Sequence, residues 1–167
     1  MPDVDPLEAV WSDDQVVVMQ RLRDWAVAFD ELHRHLAAWT ALPASDANAL
    51  GQVVWADEQG EPLSPAQLSR QIGMTSGATT VLVDRLEAAG HVTRHRESVD
   101  RRRVTLRPTQ ESRTGYRRFL AFSGAEIATA VGDADPGELR VVESFLARMT
   151  DAAGAANARL ADRAKGR

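Results

Sequence analysis

Cysteine is missing from this 167-residue chain. That single absence excludes disulfides, thiolate metal sites, a cysteine nucleophile and thiol-based redox sensing. No apolar run approaches the roughly 18 residues that a bilayer span needs, so no membrane partner is expected. The first residues, Met1 to Leu7, are acidic and contain proline instead of being basic and then apolar. They do not read as an export signal, and the expectation is a cytoplasmic protein. Catalytic signatures are also wanting. There is no Gly-rich phosphate loop after a strand, no nucleophile elbow and no metalloprotease histidine pair, and the acids are scattered without a focused pair. No enzyme activity, catalytic residue or cofactor is expected. Of the four histidines, His33 and His35 lie two apart on a helix and point away from one another. His91 and His95 share a strand face, yet no cysteine or carboxylate cluster completes a four-ligand set, so no metal site is expected either.

What is present is an uneven distribution of charge. The formal net charge is -4, which gives no bulk attraction to a polyanion. Residues 1 to 93, however, sum to -9, and residues 94 to 118 carry nine arginines against three acids. One short window therefore holds nearly half of the cations of an acidic chain, which is the electrostatic footprint of a nucleic-acid contact.

Two long amphipathic segments flank the middle of the chain. Val18, Leu22, Trp25, Phe29, Leu32, Leu36 and Trp39 step by four and three along one stripe of a helix that reads from Asp14 to Thr40. Leu139, Val142, Leu146, Met149, Ala153, Ala156 and Leu160 repeat the pattern near the other end, after a Pro136 suited to a first helical turn. Two such seams are most simply used as a helical platform, packed together within one chain or across two. Trp25 and Trp39 lie on the first seam and read as core. Trp11 precedes it.

Between the seams the elements are shorter. Asp46 to Trp55 reads as a helix with Leu50, Val53 and Val54 inward, and Asp57 to Pro62 as a polar loop. Ser64 caps a helix that has Pro65 at its first position and Gln67 where a capping box needs its amide; Leu68 and Ile72 form the buried side and Gly73 stops it. Thr75 caps the next helix, with apolar positions Ala78, Leu82, Leu86 and Ala89, until Gly90 ends it. Two helices joined by a short Gly-containing turn are the sequence form of a helix-turn-helix. The period then changes to alternation. Val92 opposes His91, Thr93 and His95; Val104 and Leu106 oppose Arg103, Thr105 and Arg107; a polar tip, Glu97 to Arg102, joins the two strands. Pro108 closes the second strand, and Thr109 caps a helix carrying Tyr116, Phe119, Leu120 and Ile127. A helix-turn-helix followed by a basic hairpin is the order of a winged helix-turn-helix. One helix fits a major groove about 12 Å wide while the hairpin reaches the backbone or minor groove beside it.

The run Leu82-Val83-Asp84-Arg85-Leu86-Glu87-Ala88-Ala89-Gly90-His91-Val92-Thr93-Arg94, with Asp100-Arg101-Arg102 and then Leu106-Arg107-Pro108-Thr109, resembles the MarR family of bacterial transcriptional regulators. The resemblance covers roughly residues 51 to 115. It implies a mainly α, α+β chain: an N-terminal dimerisation region over 1–45, a winged DNA-binding domain over 46–108, and C-terminal helices over 109–167 that complete the platform. It also implies a homodimer on double-stranded DNA with a pseudo-palindromic operator. The expected role is that of a repressor, released by a small aromatic or anionic effector that family members bind between platform and lobe. Trp11, Trp25 and Trp39 are the candidate ligand residues. In the helix after Thr75, outward positions should be Ser76, Gly77, Thr80, Val81, Asp84 and Arg85, with Thr79, Leu82, Val83 and Leu86 inward. Ser64, Thr75, Ser76, Gly77, Thr80, Val81 and Arg85 are the candidate DNA contacts of the helices. Short side chains at Ser76, Thr80 and Val81 depart from many relatives and point to shape readout. In the hairpin, Arg101, Arg102 and Arg103 sit at or beside the tip, for the minor groove, while Arg94, Arg96 and Arg107 address phosphates or brace the hairpin. The competing reading is a winged-helix dimer that serves as a protein-interaction module without DNA.

Overall fold

The first long helix forms as α1, Asp13–Thr40. Ser12 and Gln15 close a capping box at its start: the Ser12 N–H donates to Gln15 Oε1 at 2.9 Å, and the Gln15 N–H donates to Ser12 Oγ. Its end is enforced by Ala41, a non-glycine residue in the left-handed region at φ 54°, and Pro43 then admits α2, Ala44–Glu58. The computed structural model describes residues 9–96 and 104–165. Over these it continues with α3 (Pro65–Ile72), α4 (Ser76–Ala88), β1 (Val92–Arg96), β2 (Val104–Pro108), α5 (Gln110–Ser123), α6 (Ala125–Gly132) and α7 (Pro136–Lys165). The fold is mainly α with a two-stranded antiparallel sheet. Among the described residues no helix is long and apolar enough to cross a membrane.

One core organises the middle of the chain. Leu50, Val53 and Val54 of α2 meet Leu63, Leu68 of α3, Leu82, Val83 and Leu86 of α4, and Val92 and Leu106 of the hairpin. A smaller cluster of Leu36, Ala47 and Phe119 joins α1, α2 and α5, and Tyr116 packs against both. Burial holds the Tyr116 phenol above its ordinary pKa of 10.0. The hairpin pairs Val92 with Pro108, Arg94 with Leu106 and Arg96 with Val104. A Leu106 N–H donated to the Leu63 carbonyl at 2.8 Å lays the chain before α3 along the free edge of β2.

Four local expectations are corrected. The helix read as ending at Trp55 runs on to Glu58, so Asp57 is helical and buried, not in a loop. Two acids at a helix C-terminus oppose its dipole, but Arg107, Arg113 and Arg117 converge on them and offset that cost. Thr105, read as outward, is buried beside Leu106, because β2 is touched by α2, α3 and α5. Ile127 lies on α6, since α5 ends where Ser123 turns its hydroxyl back to the Phe119 carbonyl ahead of Gly124. Ala78 and Ala89 of the Thr75-capped region are exposed; the inward stripe is Thr79, Leu82, Val83 and Leu86.

Contacts group the chain into two compact units, Met1–Ser123 and Gly124–Arg167. The first contains the core just described. In the second, α7 begins at Pro136 as expected, and no residue from Gly124 to Arg163 is buried.

Candidate nucleic-acid interface

Caps set the boundaries of the two central helices. The Gln67 N–H donates to Ser64 Oγ at 3.3 Å, and the Ser64 N–H donates to Gln67 Oε1 at 2.8 Å, which completes a capping box. Gly73 ends α3 at φ 66°, a conformation that costs a residue with a Cβ. Ser69 Oγ donates to the Met74 carbonyl at 2.6 Å across the turn. Thr75 Oγ1 then accepts the Ala78 N–H, and α4 begins. Ser64 and Thr75 thus spend hydroxyl capacity inside the motif.

The far side of α4 is open. Ser76, Gly77, Thr80, Val81, Asp84 and Arg85 are all exposed, Val81 at 56%, while Thr79, Leu82, Val83 and Leu86 are buried. The Thr80 hydroxyl donates to the Ser76 carbonyl at 2.9 Å, which keeps it close to the helix. The result is a low, small-residue ridge that permits close approach of a groove floor.

The arginines divide by partner. Arg85 is fastened to Asp46 at the start of α2, with Nε 3.0 Å from Oδ2 and Nη2 2.6 Å from Oδ1. Asp46 is only 2% exposed and also accepts from Ser45 Oγ. Burial raises its pKa, but the hydrogen bonds from Arg85 and Ser45 and the Arg85 charge outweigh it, so the carboxyl sits below its ordinary 3.8. The hydrogen bond and charge of Asp46 in turn hold Arg85 protonated. Arg94 joins the hairpin to α4 through Asp84, at 2.6 Å, and Glu87. Burial alone would lower its pKa; these two acids raise it. Arg107 and Arg113 both meet the buried Asp57 carboxylate, at 3.0 and 2.6 Å, and Arg117 pairs with Glu58 at 2.8 Å. Much of the basic window is therefore turned inward as bracing, and acids from α2 and α4 supply its counter-charges. Arg96 is exposed and pairs with no described carboxylate. Arg101, Arg102 and Arg103 lie outside the described residues.

Sequence reasoning missed Asp46 and Asp57. A signal was available: Asp46, Leu50, Val53 and Asp57 step by four, three and four along α2, so a charge stands at each end of one buried stripe. The tryptophans, by contrast, are not brought together. Trp25 and Trp39 are fourteen residues apart on α1, about 21 Å along a straight helix. With Trp11 they are 44 to 51% exposed. Trp25 stacks on Phe29, and Trp39 meets Phe119 and Phe122 of α5. Neither is core within the chain. Nδ1 of His91 meets Ser112 Oγ at 2.9 Å, and among the described residues no three His, Asp or Glu side chains are placed to hold a metal.

Helix, turn, helix and antiparallel hairpin around one core define a winged helix-turn-helix protein. Residues 46–103 match the family model described as MarR family. A Bacillus subtilis (strain 168) protein, called an uncharacterized HTH-type transcriptional regulator YcgE, is 30% identical over 90 residues, covering 54% of this chain and 58% of its own length. The chain thus spans a little over half of that curated relative. The transcriptional regulator BldR from Sulfolobus solfataricus superposes with a TM-score of 0.54 at 24% identity, over 87% of this chain and 99% of its own. A MarR family protein from Bacillus stearothermophilus gives 0.60 at 21% identity, over 87% and 99%. A MepR mutant from S. aureus, solved bound to an oligodeoxyribonucleotide, gives 0.50 at 16% identity, over 81% and 96%. The likeness to the MarR family model is carried by the winged segment, residues 46–103.

Proposed function

We propose that two copies of the chain bind a pseudo-palindromic operator in double-stranded DNA and repress transcription, with one α4 in each of two successive major grooves. The observation that carries this reading is the exposed ridge of Ser76, Gly77, Thr80 and Val81 on a helix whose opposite face is locked into the core. Val81 offers a methyl surface to thymine, and the small neighbours let the backbone come near base edges. Arg96, Arg101, Arg102 and Arg103 supply the hairpin's contacts to phosphate and minor groove. Arg85 and Arg94 act by holding α4 and the hairpin in register. The regions 1–45 and 109–167 form the dimer platform around the 46–108 lobe, which would cover the apolar residues that α1 and α7 expose. An effector releases the complex only if it binds two lobe spacings with different affinity.

Fluorescence anisotropy of the full chain with duplexes from its own promoter region tests the reading. Affinity should fall steeply with salt. Thr80→Glu, which sets a carboxylate on the ridge, should weaken binding at least tenfold without lowering thermal stability. Arg101→Ala with Arg102→Ala should weaken it on every sequence tested. No protein-dependent signal at low salt would overturn DNA binding in favour of a protein-interaction module, a role suited to a lobe that pairs so many of its own arginines.

A further inference from the structure

The hairpin has a second face, of which the winged-helix reading uses only Arg96. Val92 and Leu106 turn one face into the core, and the opposite face carries Thr93 with its cross-strand partner Arg107, and His95. A cavity of about 580 Å³ opens there, between the hairpin, the end of α2 and the start of α5. Arg96, Arg107, Arg113, His95 and Thr93 line it, and Asp57 is the acid among its lining residues.

The charges are fixed in place before any ligand arrives. Asp57, whose side chain is 3% exposed, holds Arg107 Nη1 at 3.0 Å and Arg113 Nη2 at 2.6 Å. Glu58 braces Arg113 and Arg117 from behind. Three arginines thus converge on two carboxylates, and the exposed Arg96 brings a further guanidinium to the recess. Arg113 also keeps its Nε buried with no hydrogen-bond partner. A buried donor without an acceptor is costly to leave so. Guanidinium groups held by a buried acid, with a hydroxyl and an imidazole beside them, match the tetrahedral, doubly charged oxygen array of a phosphate. An apolar aromatic would gain little there.

We propose that this recess is a binding site for a small phosphate monoester. Such an anion would bridge the hairpin to α2 and α5 through Arg107, Arg96 and Arg113. Binding would therefore stiffen the wing from the face opposite the core, at a place separate from the tryptophans of α1. The site shares Arg96 with the proposed DNA contacts, while Arg107 and Arg113 stand outside them.

Isothermal titration calorimetry of the full chain, without DNA, reads the site directly with inorganic phosphate and with glycerol phosphate as probes. Expected is saturable binding of one anion per chain, above a sodium chloride control of equal ionic strength. Arg96→Ala should weaken it several-fold. Arg113→Lys, which keeps a charge for Asp57 but loses the fork, should weaken it about tenfold, with the thermal unfolding midpoint checked to show that the variant folds. Heats no larger than those of chloride, or equal affinities in wild type and both folded variants, would mean an adventitious ion only and would overturn the proposal. A final arm adds a DNA duplex. Phosphate that stays bound supports an effector site, whereas displacement of phosphate by DNA assigns the recess to the DNA backbone and overturns the monoester. Failure of DNA binding itself leaves the DNA-free titrations untouched, so the two readings fail separately.

Discussion

The winged lobe and helix α7 are built from similar residues and have opposite fates. In the lobe α2, α3 and α4 each lend leucine, and α2 and α4 also valine, to one shared core, and α4 hides four side chains while displaying the rest. Along α7 the regular stripe of Leu139, Val142, Leu146 and Leu160 remains exposed, at 38 to 63%. Helix propensity is weak, and most helical stability in proteins comes from packing an apolar face. The lobe supplies that packing from within the chain. The stripe of α7 stays exposed, and in α1 Leu36 is the buried residue. A second copy is the occupant that the proposed function assigns to that stripe.

Substitutions on each side sharpen this contrast. The largest effect should come from Leu82→Ala, at the fully buried centre of the lobe: about 2 to 5 kcal/mol by transfer and cavity terms, read from urea unfolding of the full chain. A loss under 1 kcal/mol would show that the lobe is looser than its packing implies. Leu146→Asp on α7 should leave the lobe folded but weaken self-association by about a hundredfold, measured by sedimentation across protein concentration. A variant that associates like wild type would remove the α7 stripe from the interface.

Asp46→Asn should come next. Because the Asp46 carboxyl titrates below 3.8 in the fold, its contribution is complete above that value and is lost as pH falls through the lower folded pKa. The variant should be less stable than wild type near neutrality, and the gap should close as urea midpoints are taken from pH 6 towards pH 3. A gap that stays constant would mean that Arg85 does not depend on the Asp46 charge. The smallest effect should be that of Ala41→Gly, at the left-handed junction of α1 and α2. Relief of the strained φ should stabilise by up to about 1 kcal/mol, seen as a small rise in the unfolding midpoint; a fall would show that the junction is not strained.

The parts of the lobe that could be read directly were those settled within a few residues. The Ser64 and Gln67 box, the Thr75 cap, the Gly73 and Gly90 stops and the inward set of α4 all form as their spacing predicts. The ends of elements were read less well. The α2 terminus depends on arginines that lie some fifty residues further on, and the burial of Thr105 depends on three helices closing around one strand. The same limit applies to the site. The exposed face of α4 followed from periodicity, whereas the pairing of Arg85 with Asp46 spans 39 positions. Sequence alone left Arg94 and Arg107 open between phosphate contact and bracing; the fold placed acids beside both.

What the order of residues determined here was local: caps, periods, breaks and a cluster of positive charge. Each depends on neighbours within about one helical turn, and those neighbours are present in any conformation of the chain. Which charges remain for a partner was decided only by tertiary structure. A guanidinium's role is set by the nearest carboxylate in space, and chain folding alone brings Asp46, Asp57, Asp84 and Glu87 to the arginines they hold.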